Sequence, residues 1–324
     1  MSHSAALQRE IVELIHPGQE FYPSSRCLAD RVIWDDNRRL GGLRQWNNEK
    51  RHKRKFLLSR GRCRSSPDAR DVDRNLTFWG EWEPQSRFQK LVSGPVLPSY
   101  VHWPYLLNGS TGRHNTDPFV FGSEFWFTNC QQSKCPFLTT LSVGSLIIFG
   151  TAYNRGFALD TVFVVGGRVT PAQYREQPEV CPGLLRLVTL DHCKMAQKPE
   201  NQGLIFYRGK RPADGNPFSF VPCRMADNAE MIQGHDRVIL AYKEFNSLWG
   251  KKSFLKQGCK RLNRCAEGVS DDAILSFWNK ITRCCQRQGF LLGHSIELPT
   301  IEAKQDRNFC AIGHLRSSDP DKML

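Results

Sequence analysis

The sequence predicts an α+β protein with a mainly antiparallel, barrel-like sheet flanked by helices. Segments rich in phenylalanine and β-branched residues follow one another through the middle of the chain, as strands do. Two of them, LSVGSLIIFGT and GFALDTVFVVGG, are separated only by the polar turn AYNR, which predicts neighbouring antiparallel strands. Near the end of the chain, apolar side chains recur at three- and four-residue spacing from Ile274 to Cys285, which predicts one face of a helix.

The first section of the chain combines a short apolar segment with a basic run. Residues 11–15 read IVELI, which is short enough for either a strand or a helix, and the segment ends at HPGQ. Farther on, Lys53, Arg54 and Lys55 directly precede the apolar residues of FLLS. This run is either the solvated entry to a strand or a patch that contacts phosphates.

The middle of the chain reads as strands and loops. SSPDARDVDRN, residues 65–75, predicts a polar loop at the border between two sections. LTFWGEWE alternates aromatic with small or charged side chains, as a half-buried strand does. PFVFGSEFWFTNC, residues 118–130, is dense in phenylalanine and predicts a further strand.

The last section contains the clearest helix. Ser270 precedes Asp271 and Asp272, which predicts an N-cap and acidic residues suited to the positive end of the helix dipole. Gly289 predicts the end of this helix, and FLLGHSIELP predicts a final strand. The predicted sections are a basic N-terminal section (1–73), a β-rich core (74–225) and a C-terminal helical section with a final strand (226–324).

The charge balance points to a polyanionic partner. Lys and Arg total 45 against 32 Asp and Glu, which gives a formal net charge of +13 and a pI near 9.3. Such a surplus concentrates polyanions near a protein, and nucleic acids are the commonest of these because binding them releases counterions. Nucleic acid or nucleotides are therefore the predicted partners.

Composition also predicts the compartment. No apolar run approaches the ~20 residues that a membrane-spanning helix needs. Glu10 and Glu13 interrupt the N-terminal apolar stretch, which argues against a secretory signal. The 12 cysteines then favour free thiols in a reducing environment over a disulfide scaffold. We predict a cytoplasmic protein with no membrane partner, and the sequence leaves its oligomeric state open.

The cysteine spacings do not match a metal site. Four residues separate Cys130 from Cys135 and five separate Cys259 from Cys265, whereas zinc sites usually have tighter pairs. The sequence also lacks a P-loop and a G-x-G-x-x-G motif after a strand. We therefore predict no metal and no cofactor.

Five consecutive positions, Trp79 to Glu83, hold two tryptophans and two glutamates. As a strand, this stretch places Trp79, Glu81 and Glu83 on one face and Trp82 on the other. A carboxylate beside an indole in an apolar wall can serve as an acid, or it can accept hydrogen bonds from the edge of a base. The alternative is that both glutamates pair with arginines on the surface of a sheet.

Other polar residues beside the predicted strands are candidates for ligand contact or catalysis. His114 and Asp117 lie in GRHNTDPFVFG, directly before a strand, and would assist the glutamates in an enzyme. Turn formation explains Asp117 equally well but leaves His114 unexplained. The predicted ligand-binding side chains, which are indoles or amides, are Trp79, Trp82, Asn115, Trp126, Asn129, Gln131 and Gln132. The predicted phosphate contacts, all basic, are Lys53, Arg54, Lys55, Lys210 and Arg211.

The segment GSLIIFGT…GFALDTVFVVGG resembles the PUA-like superfamily, particularly EVE and ASCH domains. FWGEWEPQS is similar to the strand with Trp, Glu and Pro near the start of EVE domains. The resemblance covers at most residues 75–167, and Gly144 and Ser145 stand where those domains have Gly-Asp. It implies a small PUA-like barrel that holds a flipped or free modified base in an aromatic cage. The chain also resembles bacterial nucleotide-modification-associated proteins.

Three functions remain open on these grounds. The leading hypothesis is a nucleic-acid- or nucleotide-binding protein that recognises a modified base in an aromatic pocket. The second is a hydrolase or transferase that acts on nucleotides or nucleic acid, with Glu81 or Glu83 as acid/base. The third is a structural interaction protein.

Overall fold

The computed structural model describes residues 6–16, 18–23, 32–33, 54–91, 97–108, 114–153, 156–191, 203–226, 232, 234–245, 258–262 and 268–303. Within these ranges the fold is α+β and consists mostly of β-sheet, as the sequence predicts. No helix in the described ranges is long and apolar enough to cross a membrane.

The elements are numbered in chain order. The strands of the described ranges are β1 Ile11–Ile15, β2 Val32–Ile33, β3 Lys55–Arg64, β4 Val72–Gly80, β5 Ser86–Lys90, β6 Tyr100–Leu107, β7 Trp126–Phe127, β8 Leu146–Tyr153, β9 Gly156–Val169, β10 Phe206–Gly209, β11 Val221–Met225, β12 Val238–Ala241, β13 Gly258–Arg261, β14 Leu291–Ile296 and β15 Thr300–Glu302. The α-helices there are α1 Pro171–Glu176, α2 Gly183–Leu185, which continues into a π-helical turn at Arg186–Leu190, α3 Tyr242–Phe245 and α4 Asp271–Arg287. Three short 3-10 helices lie at Pro136–Thr139, Pro178–Val180 and Pro212–Asp214.

The first sheet has the strand order β13-β1-β8-β9-β10-β7, and β12 also pairs with β9. The predicted antiparallel pair is confirmed as β8 and β9, with Leu146 opposite Val164 and Tyr153 opposite Gly156. IVELI is a strand, β1, which lies parallel to β8 and antiparallel to β13.

The second sheet has the order β14-β11-β4-β3-β6-β5-β2, with β15 beside β6. Because β14 also pairs with β3, the strands β3, β4, β11 and β14 form a closed, four-stranded antiparallel barrel. This barrel confirms the prediction of a mainly antiparallel, barrel-like sheet.

Both sheets draw strands from all three predicted sections of the chain. β1 pairs with β8 of the middle section and with β13 of the C-terminal section. Likewise, β3 pairs with β4 and with β14. The three sections therefore do not fold around sheets of their own.

A phenylalanine-rich segment packs between the two sheets. Within residues 118–130 the described strand is β7 alone, so the longer strand predicted there is mostly a loop. Its rings contact side chains of both sheets because burying aromatic surface is favourable whether or not the backbone pairs. Four phenylalanines of this segment are at most 1% exposed, namely Phe119, Phe121, Phe125 and Phe127.

The C-terminal helix is confirmed as α4. The hydroxyl of Ser270 accepts a hydrogen bond from the backbone N–H of Ala273 at 3.3 Å, as an N-cap does. Gly289 follows the helix with a φ of +77°, a conformation that favours glycine. The apolar face packs into one core cluster with β8, β9 and β12, and its buried members include Ile274, Phe277, Trp278, Ile281, Cys284 and Cys285.

The prediction of free thiols is wrong for two cysteines. Cys135 and Cys259 form a disulfide with a Cα–Cα distance of 6.8 Å. The bond joins the segment after β7 to β13, two parts of the chain that are 124 positions apart. The described cysteines with free thiols are Cys63, Cys130, Cys181, Cys223, Cys284 and Cys285.

A candidate thiol–imidazole–carboxylate site

Cys130 lies in a tight turn directly after β7, and Asp117 holds this turn in place. The Asp117 carboxylate accepts hydrogen bonds from the backbone N–H groups of Thr128, Asn129 and Cys130 at 2.9, 2.8 and 2.7 Å. Burial is the main reason that the pKa of Asp117 is raised to about 7. The following residue, Gln131, has a φ of +63°. Non-glycine residues seldom adopt this conformation, and such residues cluster at functional sites.

The thiol of Cys130 contacts an imidazole, which in turn contacts a carboxylate. Cys130 Sγ lies 2.9 Å from His16 Nε2. On the other side of the ring, His16 Nδ1 lies 3.4 Å from Glu81 Oε2. A nucleophile, a base and an orienting acid have this order in enzymes with covalent mechanisms.

Ends of strands from both sheets position these residues. His16 directly follows β1, and its backbone N–H donates to the carbonyl of Gly150 in β8 at 2.8 Å. Glu81 directly follows β4, in which Gly80 pairs with Lys55 at the start of β3. These three residues, Cys130, His16 and Glu81, form a trio that lies where the end of β1 meets one end of the barrel.

The surroundings of the trio are buried. His16 is 3% exposed and Glu81 is 4% exposed, and Cys130 is half-buried. Burial, together with the negative charges of Asp117 and Glu81, raises the pKa of the Cys130 thiol well above its ordinary value. The thiol is therefore protonated near neutral pH, and a thiolate forms there only if a base takes the proton.

Glu81 is also bound by an arginine that the sequence assigns to phosphate contact. Arg54 Nη1 lies 2.7 Å from Glu81 Oε2. Arg54 and Lys55 are only 2% and 3% exposed, and Lys55 Nζ donates to the carbonyl of Pro84 at 3.1 Å. These positions do not support a contact of Arg54 or Lys55 with phosphate at the surface. Lys53 lies outside the described residues.

The other two predicted phosphate contacts lie away from the trio. Arg211 is exposed and pairs with Asp214 at 3.1 Å and with Glu124 at 3.5 Å. Lys210 donates to the carbonyl of Asn216 at 3.4 Å. In the antiparallel pair of β10 and β7, Tyr207 is opposite Phe127. Arg211 and Cys130 therefore lie at opposite ends of that pair.

The structure brings two predicted amide residues together beside Cys130. Asn115 Nδ2 donates to Asn129 Oδ1 at 2.9 Å, and Asn129 Nδ2 donates to Asn115 Oδ1 at 2.7 Å. The carboxylate of Glu83 accepts a hydrogen bond from the backbone N–H of Asn115. His114, fully buried, directly precedes this pair.

Gln132 has a structural role in the same loop. Its Nε2 donates to the carbonyls of Thr128 and Ile205, and its Oε1 accepts from the backbone N–H of Ile205. All these contacts are to backbone, so Gln132 ties the Cys130 turn to the segment before β10.

The three predicted stacking tryptophans are core residues. Trp79 is 8% exposed, and Trp82 and Trp126 are each 1% exposed. Trp82 Nε1 donates to the carbonyl of Gln85 at 2.7 Å. The guanidinium of Arg237 lies 4.6 Å from the centre of the Trp79 ring. The strand predicted through Glu83 ends at Gly80, so Trp79, Glu81 and Glu83 do not line one strand face.

Sequence reasoning missed the residue that pairs with Cys130. His16 is 114 positions away along the chain, and no local motif links the two residues. Cys130 itself was considered only as a metal ligand, a role that its spacing from Cys135 argued against. The one sequence signal for the site was the group of glutamates and polar residues around Glu81 and Asp117, because Glu81 belongs to the trio and Asp117 holds the Cys130 turn.

The described residues contain no group of three or more His, Cys, Asp or Glu side chains arranged to hold a metal ion. Within the trio, the thiol and the carboxylate contact opposite nitrogens of the His16 ring. Through these contacts the three side chains cannot bind the same ion.

No family model, no curated protein and no solved structure matches the chain. The fold and the site define an α+β protein in which a thiol–imidazole–carboxylate trio lies where the first sheet meets one end of a closed barrel.

Proposed function

We infer that the protein is an enzyme in which Cys130 is the nucleophile, His16 the general base and Glu81 the carboxylate that orients His16. The observation that carries this function is the 2.9 Å contact between Cys130 Sγ and His16 Nε2. Glu81 thus takes an orienting role in place of the direct acid/base role that the sequence analysis considered.

The geometry supports a covalent mechanism. In the tautomer that carries its proton on Nδ1, which lies 3.4 Å from Glu81 Oε2, His16 accepts the thiol proton at Nε2. As Cys130 Sγ bonds to an electrophilic carbon of the substrate, its proton passes to His16 Nε2, and Glu81 stabilises the imidazolium. The bond to the leaving group then breaks, and that group takes the proton from His16. Water or a second substrate then gives its proton to His16 and attacks the carbon bound to sulfur, the carbon–sulfur bond breaks, and Sγ takes the proton back from His16, so the reaction is hydrolysis or group transfer.

Nucleotides or nucleic acid are the proposed substrates. The net charge of +13 favours anionic substrates over neutral or cationic ones. Beside Cys130, the amides of Asn115 and Asn129 bond each other, and a base edge that displaces one of them meets a donor and an acceptor of the other.

Covalent trapping tests this function. The protein is incubated with ribonucleotides, deoxyribonucleotides and short oligonucleotides, quenched in acid and analysed by peptide mass spectrometry, while products are followed by chromatography. We expect an adduct on Cys130 that is lost in Cys130→Ala and strongly reduced in His16→Asn. Cys181→Ala removes a different buried free thiol and should leave both adduct and product unchanged. Neither adduct nor product in the wild-type protein would contradict the proposal.

Recognition of a modified base by a PUA-like core is the second candidate function. The closed barrel and the reciprocal Asn115–Asn129 pair favour it. Binding without turnover, measured by gel shift with plain and modified oligonucleotides, would support this candidate. Under it, Cys130→Ala should bind as the wild type does, and Asn129→Asp, which replaces the amide donor by an acceptor, should lose affinity.

A further inference from the structure

Arg54 lies between the trio and a second buried ion pair. Its Nη1 is 2.7 Å from Glu81 Oε2, and its Nε is 2.9 Å from Asp160 Oδ2. The contact with Asp160 is close but is not aligned as a hydrogen bond. Arg54 thus bridges the end of β4 and the middle of β9, which belong to different sheets.

Asp160 is shared with a second arginine. Arg237 Nε lies 3.2 Å from Asp160 Oδ1. The other nitrogens of Arg237 donate to Thr151 Oγ1 at 3.2 Å and to the carbonyl of Gly18 at 2.9 Å. These contacts form a buried set of two guanidinium groups and two carboxylates, whose charges balance. Its members are Arg54, Arg237, Glu81 and Asp160. Because the set has no excess positive charge, it does not attract an anion as two unpaired arginines would.

Arg54 and His16 contact the same oxygen of Glu81, Oε2. A displacement of Arg54 therefore moves the atom that orients the His16 ring. The third nitrogen, Arg54 Nη2, is buried and makes no hydrogen bond with any described residue. A guanidinium with a structural role alone is usually fully bonded when buried.

We propose that Arg54 is a positioning residue of the Cys130 site, which holds Glu81 against His16 and, through its charge, controls how readily Cys130 releases its proton. This inference rests on the proposed function, since it assigns a second layer of residues to the same trio. Arg54 does not contact the reacting sulfur in this arrangement and acts through Glu81 and His16.

Several charged groups lie around the trio, and each affects the pH at which the Cys130 thiol loses its proton. The groups that act on Cys130 are His16, Arg54, Glu81, Asp117 and Lys134. The groups that act on Arg54 and Arg237 from the other side are Asp160, Asp236 and Glu20. The positive charge of Arg54 lowers the pKa of the Cys130 thiol, opposing the effect of burial.

Two neutralising substitutions should therefore move the reactivity of Cys130 in opposite directions. Arg54→Gln removes a positive charge near the thiol and frees Glu81 from its anchor, so the pH midpoint for thiolate formation should rise by about one unit. Asp160→Asn removes a negative charge that offsets the positive charge of Arg54. The pH midpoint for thiolate formation at Cys130 should therefore fall by a similar amount.

The test is the rate of Cys130 alkylation by iodoacetamide as a function of pH, read by peptide mass spectrometry on the full chain. Near neutral pH, Arg54→Gln should slow alkylation by roughly tenfold, and Asp160→Asn should accelerate it. Arg54→Lys keeps the charge and should stay within about half a unit of the wild-type midpoint. If Arg54→Gln does not fold, the fall of the midpoint in Asp160→Asn still tests the role of the Arg54 charge. Arg211→Gln breaks an exposed ion pair far from the trio and should leave the profile unchanged.

Equal midpoints in the wild type and the two neutralising variants, or shifts in the same direction, would overturn the positioning role and leave Arg54 as a bridge between sheets. A failure of the proposed function can be told apart from a failure of the positioning role, because the alkylation of Cys130 is measured without any substrate. If the opposite shifts occur but no adduct or product forms with nucleotides, the substrate class or the catalytic role is wrong while the link between Arg54 and Cys130 stands.

Discussion

At the scale of single residues, side chains expected to bind a ligand are instead part of the core. The Trp82 ring packs edge-on against Phe121, with 5.2 Å between ring centres, and its N–H is bonded to a backbone carbonyl. Trp82→Ala should therefore lower the free energy of unfolding by about 3–5 kcal/mol, measured by urea denaturation. Trp82→Phe, which keeps a ring, should cost less. A loss of ligand affinity in Trp82→Ala without a loss of stability would restore the stacking role.

A second residue, Glu13, links stability to pH. It lies in β1 with no solvent exposure, and neither carboxylate oxygen has a hydrogen-bond partner among the described residues. Burial raises its pKa from 4.5 to about 7, while Lys260 acts in the opposite direction. Below pH 4.5 the carboxyl is protonated in both the folded and unfolded states, so its contribution is greatest there.

As the pH rises from about 4.5 to about 7, the unfolded state ionises first and the folded state loses stability, by roughly 3 kcal/mol. Glu13→Leu and Glu13→Gln should both remove this slope, since neither side chain ionises. The measurement is the free energy of unfolding in urea between pH 4 and pH 8. A slope in Glu13→Leu equal to that of the wild type would assign the effect to another group.

The candidate site shows what residue types alone can predict. Glu81 stood out because it lies between two indoles, and Asp117 because it directly precedes a predicted strand, and both lie at the site. Cys130 and His16 did not, because a lone cysteine and a lone histidine carry no signal until the fold brings them to 2.9 Å. Lys55 appeared to be a surface residue, yet its aliphatic stem lies in the interior and its ammonium bonds a carbonyl.

At the scale of elements, the features that local pattern determines were predictable. β8, β9 and α4 follow from alternation, a short turn, an N-cap and helical spacing, all of which act within a few residues. Residues 118–130 were misread because dense aromatic composition is shared by buried strands and by loops that fill a core. Their backbone mostly leaves the sheet, whereas the rings remain buried.

The N-terminus of α4 provides an element-scale prediction. Ser270→Ala removes the side-chain acceptor for the Ala273 N–H, so the unfolding free energy should fall by about 1 kcal/mol. Ser270→Asp keeps an acceptor and suits the helix dipole, so it should be neutral or stabilising. Equal destabilisation by Ala and Asp would show that packing, and not capping, governs this position.

At the scale of the whole molecule, the pairing of distant strands could not be predicted. β1 joins β8 and β13, and β3 joins β14, across separations that no local pattern encodes. The ionic set of Glu81, Arg54, Asp160 and Arg237 spans both sheets for the same reason. The barrel closure and the trio are therefore consequences of topology, and the site exists only when both sheets have assembled.

The Cys135–Cys259 disulfide adds a covalent link at this scale, and its removal tests how far the assembly depends on it. The bond closes a loop of 124 positions, for which restriction of the unfolded chain contributes up to about 5 kcal/mol. Reduction with dithiothreitol should therefore lower the free energy of unfolding of the wild type. A double variant, Cys135→Ser with Cys259→Ser, should start at the reduced value and should not respond to reductant.

Because Cys135 lies in the loop that follows Cys130, alkylation of Cys130 should also become faster after reduction, as the turn opens more often. A peptide map without reductant should contain the cross-linked pair, and its absence, or equal stability of the double variant and the oxidised wild type, would contradict this account.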